Sequence, residues 1–281
     1  MTLDPPVTSR RPAQTEDAPL DVNRVAAELD TIWLGRRHVH VASCTSTNDL
    51  AATEARIGAP EGLVLTADEQ TLGRGRLGRT WHSPLGANLY LSLLLRPQRP
   101  ATEVPPLTLL AGGALAQALR SLGFDPRVKW PNDVLLSVDG RQRKVAGILT
   151  EASTEGSRIG HVVVGIGINV NTDRFPDGLA DKATSLRTVG GARIDREKVL
   201  ARLLSAFESA YDEWAVRGPA AAIESWESHA DLGARCQVRI GGRDITGVTV
   251  GVAADGALRI RDDANVIHHV VSGEVTASKT S

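Results

Sequence analysis

Two cysteines, one methionine and an aromatic content of 4% leave this 281-residue chain with few specialised side chains. Cys44 and Cys236 lie far apart and in no metal-ligand spacing. That argues against a disulfide scaffold or a structural zinc and suits a reducing compartment. The chain also lacks an apolar run of membrane-spanning length, and no signal-type apolar stretch follows Met1. The expected address is the cytoplasm, with no membrane partner. An excess of charge is missing too. Lys and Arg total 32 against 33 Asp and Glu, for a net charge of −1. A nucleic-acid binder usually carries a basic domain, and this composition does not provide one.

Positive charge is instead concentrated in one stretch, Gly73-Arg74-Gly75-Arg76-Leu77-Gly78-Arg79-Thr80-Trp81. Glycine allows a backbone to approach a ligand closely, and each guanidinium can hold a carboxylate or phosphate through paired hydrogen bonds. The stretch reads as a flexible lid for something small and anionic, with a solvated basic loop as the plainer alternative. Gly73, Gly75 and Gly78 also fit a dinucleotide fingerprint. Trp81-His82-Ser83-Pro84 follows as a turn where that fingerprint needs a helix, so the dinucleotide reading is rejected.

Around this loop the chain alternates helices and strands. Residues 1–20 hold four prolines among polar residues and should be disordered, too short a segment for a DNA-reading domain. Asp21 can cap a first helix carrying Val22, Val25, Leu29 and Trp33. His38 and His40 would share a face of a strand and, with no third ligand nearby, are expected to be simply exposed. Ser46-Thr47-Asn48 opens an Ala-rich helix with more hydroxyl and amide groups than a cap requires, leaving a surplus for a polar, uncharged ligand group. Strands are expected at 62–69, ending before Gln70, and at 88–95, with leucines on one face. Gly112-Gly113 in the helix from about 107 to 122 suggests close packing.

Val128-Lys129-Trp130-Pro131-Asn132-Asp133 should be kinked, and Asp139-Gly140 should turn a hairpin into Arg143-Lys144-Val145-Ala146-Gly147-Ile148-Leu149. Strict alternation there puts Lys144 with Ala146 and Ile148. The strand from His161 to Asn171 is the most hydrophobic, and Gly165 and Gly167 leave one face bare. Asp195 to Val216 reads as an amphipathic helix. From Ala234 short alternating runs divided by Gly and Asp indicate a small all-β domain.

The basic loop with Trp81, Ser46-Thr47-Asn48, the Lys-Trp-Pro-Asn-Asp run at 129–133, the strand from Lys144 to Leu149, and Gly165-Ile166-Gly167-Ile168-Asn169 together resemble the biotin protein ligases, from about Val39 to the C-terminus. The resemblance implies an α+β fold: a class-II synthetase-like mixed-sheet catalytic domain over 21–232, then a small SH3-like β-barrel domain over 233–281. It implies ATP and biotin as substrates, Mg²⁺ as cofactor, and biotinyl-5′-AMP as the product of a first step. A lysine of a biotin carboxyl carrier protein, an acyl-CoA carboxylase subunit, would be the acceptor.

By the same resemblance Lys144 bridges the biotin carboxyl and the α-phosphate, and Arg76 holds that carboxylate. Ser46, Thr47, Asn48, Gln70 and the Arg74-Gly75 backbone meet the ureido ring. Asn132 faces the phosphate, Asn169 and Arg79 the nucleotide, and Trp81 packs over the ligand. Gly147 and Gly165 make room for the flat biotin bicycle and the adenylate. No metal ligand is assigned. Many bacterial members carry an N-terminal winged helix-turn-helix and act as repressors; the short stub here implies a ligase without specific DNA binding. Two alternatives remain. One is a lipoate-protein ligase-like enzyme, which has little use for a polar ureido pocket. The other is a non-enzymatic nucleotide or nucleic-acid binding module.

Overall fold

A computed structural model describes residues 18–155, 158–240, 243–273 and 275–277. Most of the stub at 1–20 therefore lies outside the described residues. Seven strands form one sheet: β1 (His38–Cys44), β2 (Val64–Gln70), β3 (Leu89–Leu95), β4 (Arg127–Lys129), β5 (Asp133–Val138), β6 (Arg141–Glu155) and β7 (Arg158–Ile168). Their order is β1-β2-β3-β7-β6-β5-β4. Only β1 and β2 run parallel, and every other neighbour pair is antiparallel.

The alternation along β3 and β7 sorts the two faces. Leu89, Leu91, Leu93 and Leu95 join Val162, Val164, Ile166 and Ile168 in the main core. That core is closed by α3 (Leu107–Ser121), α5 (Arg196–Arg217) and α6 (Pro219–Glu227). Of the two glycines in α3, Gly113 is required by close packing: a Cβ there would stand 2.6 Å from Ser225 Oγ on α6. On the opposite face the shorter α2 (Thr47–Arg56) packs Ala51 and Ala55 on Leu65, Leu94 and Val163. It covers only part of that face, and the uncovered part becomes the cavity described below.

Two local expectations change. The first helix, α1 (Val22–Glu28), is capped by the Asp21 carboxylate as its sequence suggests, but it stops before Trp33. The segment from Ile32 to Leu34 instead donates three backbone N–H groups to the buried Glu208 carboxylate of α5. His38 and His40 are not simply exposed either. Both rings bond the Thr66 hydroxyl, at 2.8 and 3.0 Å, and His40 also reaches Asp68 at 3.0 Å.

After α6 the chain forms a five-stranded antiparallel sheet, β8 (Arg235–Ile240), β9 (Arg243–Val252), β10 (Leu258–Arg261), β11 (Ile267–Val270) and β12 (Val275–Ala277), ordered β11-β10-β9-β8-β12. Its Cys236, Val238, Leu258 and Ile260 are continuous with the main core. Trp130 Nε1 donates to Gly256 O at 2.9 Å across the junction. Among the described residues no helix is long and apolar enough to cross a membrane.

Candidate active site

Every site residue singled out from the sequence lines one cavity of about 660 Å³ on the α2 face of the large sheet. The strands and loops deliver them for separable reasons.

Position 144 departs from simple alternation. In the β5–β6 pairing Val134 faces Ala146 but Leu135 faces Lys144, so Val145 is an extra residue, a β-bulge. Val145 turns into the core, and Lys144 moves to the face of Gly147 instead of that of Ala146 and Ile148. The bulge is held by the segment before α4 (Leu186–Gly190). Lys144 N donates to Lys182 O at 2.8 Å and Thr184 N to Lys144 O at 2.9 Å. Asn169 secures the same segment, its amide donating to Thr184 O at 3.1 Å.

Lys144 Nζ lies 2.5 Å from Asp133 Oδ1, and the ammonium stands 5.2 Å from the centre of the Trp81 ring. Asp133 also attracts Arg76, whose guanidinium is drawn below its ordinary value by burial and partly restored by that carboxylate. An arginine remains charged throughout. Asp133 thus pairs with Lys144 and acts electrostatically on Arg76, and nothing in the sequence distinguished it beyond its place at the end of the Trp-Pro-Asn-Asp run. Asn132 beside it is engaged with the sheet: its side-chain Nδ2 donates to Ile148 O at 2.9 Å while Ile148 N donates to its backbone carbonyl at 3.0 Å.

The basic stretch folds as a tight hairpin. Gly75 N donates to Arg79 O at 2.7 Å and Trp81 N to Gly73 O at 2.8 Å. Gly73 must be glycine because a Cβ there would lie 2.6 Å from both Ser83 Oγ and Trp81 O. Leu77 at the tip adopts φ 57, a left-handed conformation unusual for a leucine.

The glycine roles are redistributed. Gly147 and Gly167 are paired across β6 and β7. Their bare surface carries the Trp81 indole: a Cβ on Gly167 would stand 2.5 Å from the ring and one on Gly147 3.0 Å. Gly165 accommodates Asn48, whose amide oxygen would lie 2.1 Å from a Cβ at 165. A Cβ at Gly147 or Gly165 would therefore press on Trp81 or Asn48.

The polar pocket beneath the hairpin is a connected chain of hydrogen bonds. Ser92 Oγ reaches Asn48 Oδ1 at 2.6 Å and Thr47 Oγ1 at 2.8 Å. Thr47 N and Oγ1 donate to Gln70 Oε1 at 2.9 and 3.2 Å, and Gln70 Nε2 donates to Ser83 Oγ at 3.2 Å. Ser46 stands at the N-cap position of α2, yet its hydroxyl makes no capping bond. Sequence reading missed the far wall altogether. Phe175 and Leu179 come from the segment before α4, Leu232 from the turn before β8, and Arg235 and Cys236 from the start of β8. Only the fold brings these residues to the cavity.

Arginines and a lysine gathered over a neutral polar pocket suit the joining of two anions beside an uncharged, hydrogen-bonding group. Known proteins agree. Residues 40–169 match the biotin/lipoate A/B protein ligase family, and 231–276 match the biotin protein ligase C terminal domain. The bifunctional ligase/repressor BirA of Bacillus spizizenii is 37% identical over 251 residues, 88% of this chain and 76% of that protein. The biotin–[acetyl-CoA-carboxylase] ligase of Mycobacterium tuberculosis is 34% identical over 85% of this chain and 89% of its own length. The Aquifex aeolicus biotin protein ligase, solved with biotin and ATP, superposes with a TM-score of 0.72 at 31% identity, covering 86% of this chain and 98% of that one. The chain belongs to the biotin protein ligase family.

Proposed function

We propose that the chain activates biotin with ATP and transfers it to one lysine of a biotin carboxyl carrier protein. The observation that carries this reading is the gathering of Arg76 and Lys144, the latter paired with Asp133, in the same cavity as a neutral polar pocket. In the first step a biotin carboxylate oxygen attacks the α-phosphorus and pyrophosphate leaves. The two reacting groups repel each other, and preorganised cations lower that cost most where charge develops. Lys144 serves both oxygens when it leaves Asp133, and Arg76 orients the carboxylate. The ureido ring, with donors and an acceptor, sits over Ser46, Thr47 and Gln70. In the second step a neutral lysine amine of the carrier attacks the acyl carbon, AMP departs, and the amine's surplus proton is lost. Trp81 and the hairpin shield the mixed anhydride from water in between.

Among the described residues no group of three or more His, Cys, Asp or Glu could hold a metal. Magnesium would therefore arrive with the nucleotide, bound chiefly by its phosphates, as is usual for this ion. We place the catalytic domain at 21–232 and the small β domain at 233–281. The polar pocket favours biotin over lipoate. The expected outcome with a purified carrier domain is ATP-dependent attachment of biotin to a single lysine, read by intact mass. No gain in mass with biotin and MgATP present would reject the reading.

A further inference from the structure

The arginines of the hairpin are not equivalent. Arg74 and Arg76 both line the cavity, but only Arg74 is tied to two acids that are not among its lining residues. Arg74 Nη2 lies 2.7 Å from Asp49 Oδ1 on the first turn of α2 and 3.0 Å from Glu151 Oε2 on β6. The same Glu151 oxygen accepts from Asn48 Nδ2 at 2.6 Å, and Asn48 Nδ2 also reaches Leu149 O at 3.2 Å. Asn48 Oδ1 is held by Ser92, which also holds Thr47. One carboxylate therefore joins the hairpin to the floor of the polar pocket.

We infer that Asp49 and Glu151 form a latch for the basic hairpin, with Arg74 as its bolt, and that Glu151 is a positioning residue coupling the closed hairpin to the orientation of the Asn48 amide. An amide has a donor end and an acceptor end, and a carboxylate can only accept. Glu151, together with Leu149 O, thus fixes which end of Asn48 faces Ser92, and through Ser92 it steadies Thr47 and Gln70. Opening the hairpin would remove Arg74 from Glu151 and leave that charge partnered by the Asn48 amide alone. The latch needs no ligand to form. Its acids relieve the mutual repulsion of the hairpin arginines within the protein itself.

The three side chains are 40 to 52% exposed, so the latch is weak and reversible, as a lid that opens every turnover requires. Two exposed ion pairs of ordinary strength correspond to about three- to tenfold in a closed–open equilibrium.

The inference deepens the proposed function, since it concerns the lid over that site, but its first test is independent of any substrate. Trypsin cuts after Arg74, Arg76 and Arg79, so the rate of cleavage in the hairpin of the full chain reports how often it opens. The double variant Asp49→Asn with Glu151→Gln keeps an acceptor for Asn48 and removes both charges. It should be cut about three- to tenfold faster than the parent. The biotin KM should rise by a similar factor while kcat at saturating biotin changes less than about twofold, a split that a merely structural defect would not give. Asp49→Asn alone sits on the surface and serves if the pair perturbs folding; it should give part of the same acceleration.

In an Arg74→Met background the acid substitutions should add nothing, since residues acting through one contact are non-additive. Unchanged cleavage, or effects that add fully to those of Arg74→Met, would overturn the latch. A parent enzyme that makes no biotinyl-adenylate would reject the proposed function instead, and the cleavage comparison would still decide on the latch.

Discussion

Lys144 shows how far a single residue can depart from its pattern. Alternation along the strand sends it with Ala146 and Ile148, and the bulge at Val145 sends it to the cavity. That bulge depends on hydrogen bonds from a segment some forty residues later, which no local pattern encodes. Its ammonium is held by Asp133 and stands beside Trp81. Lys144→Met keeps the length of the stem and removes the charge, and adenylate formation should fall by roughly two orders of magnitude or more. Partial exposure of the pair limits the stability cost to about 1 kcal/mol, a few degrees in thermal midpoint. Equal activity in Lys144→Met, measured as biotin-dependent pyrophosphate release, would remove this lysine from the chemistry.

At the scale of elements, the strands and helices with strong periodicity were legible from composition and spacing. β3, α3 and α5 lie close to where their apolar patterns put them, because a buried leucine stripe admits little freedom. The ends of β6 and β7, and the strand β12, were not legible: polar residues extend those strands because they pair with each other, a long-range reason. The strand β1 differs in another way. Its histidines read as exposed, but both rings bond the Thr66 hydroxyl of β2, and His40 Nε2 also reaches the buried Asp68.

Burial, and secondarily the neighbouring His40, pushes the His38 imidazole down to about 4 from an ordinary 6.5. Between those values the unfolded chain binds a proton that the folded chain does not. Stability is therefore complete above pH 6.5 and is lost as pH falls toward 4, at up to about 1.4 kcal/mol per pH unit. Thermal melts across this window should show that slope, and His38→Gln should flatten it. A variant as acid-sensitive as the parent would exclude His38 as the source.

For the whole molecule, one uncovered patch of a seven-stranded sheet organises the site. Helices α3, α5 and α6 close one face fully, and α2 covers the other only at the end where Leu65, Leu94 and Val163 lie. The remaining surface, paved by Gly147 and Gly167, takes the indole of Trp81 and with it the hairpin. The cationic and polar residues of the site were legible because their chemistry is unusual wherever it stands: arginines between glycines, hydroxyls beyond a cap's needs. The far wall from the second sheet was not, since Leu232 and Cys236 look like ordinary core residues until the domains are joined.

On the proposed function, this cavity condenses biotin with ATP. The most direct test is exchange of labelled pyrophosphate into ATP, run separately with biotin and with lipoate. Biotin should support exchange and lipoate should not, since lipoate offers no ureido group to Ser46, Thr47 and Gln70. Exchange that needs no added acid, that proceeds equally with lipoate, or that is absent with biotin would rule out biotin activation at this site.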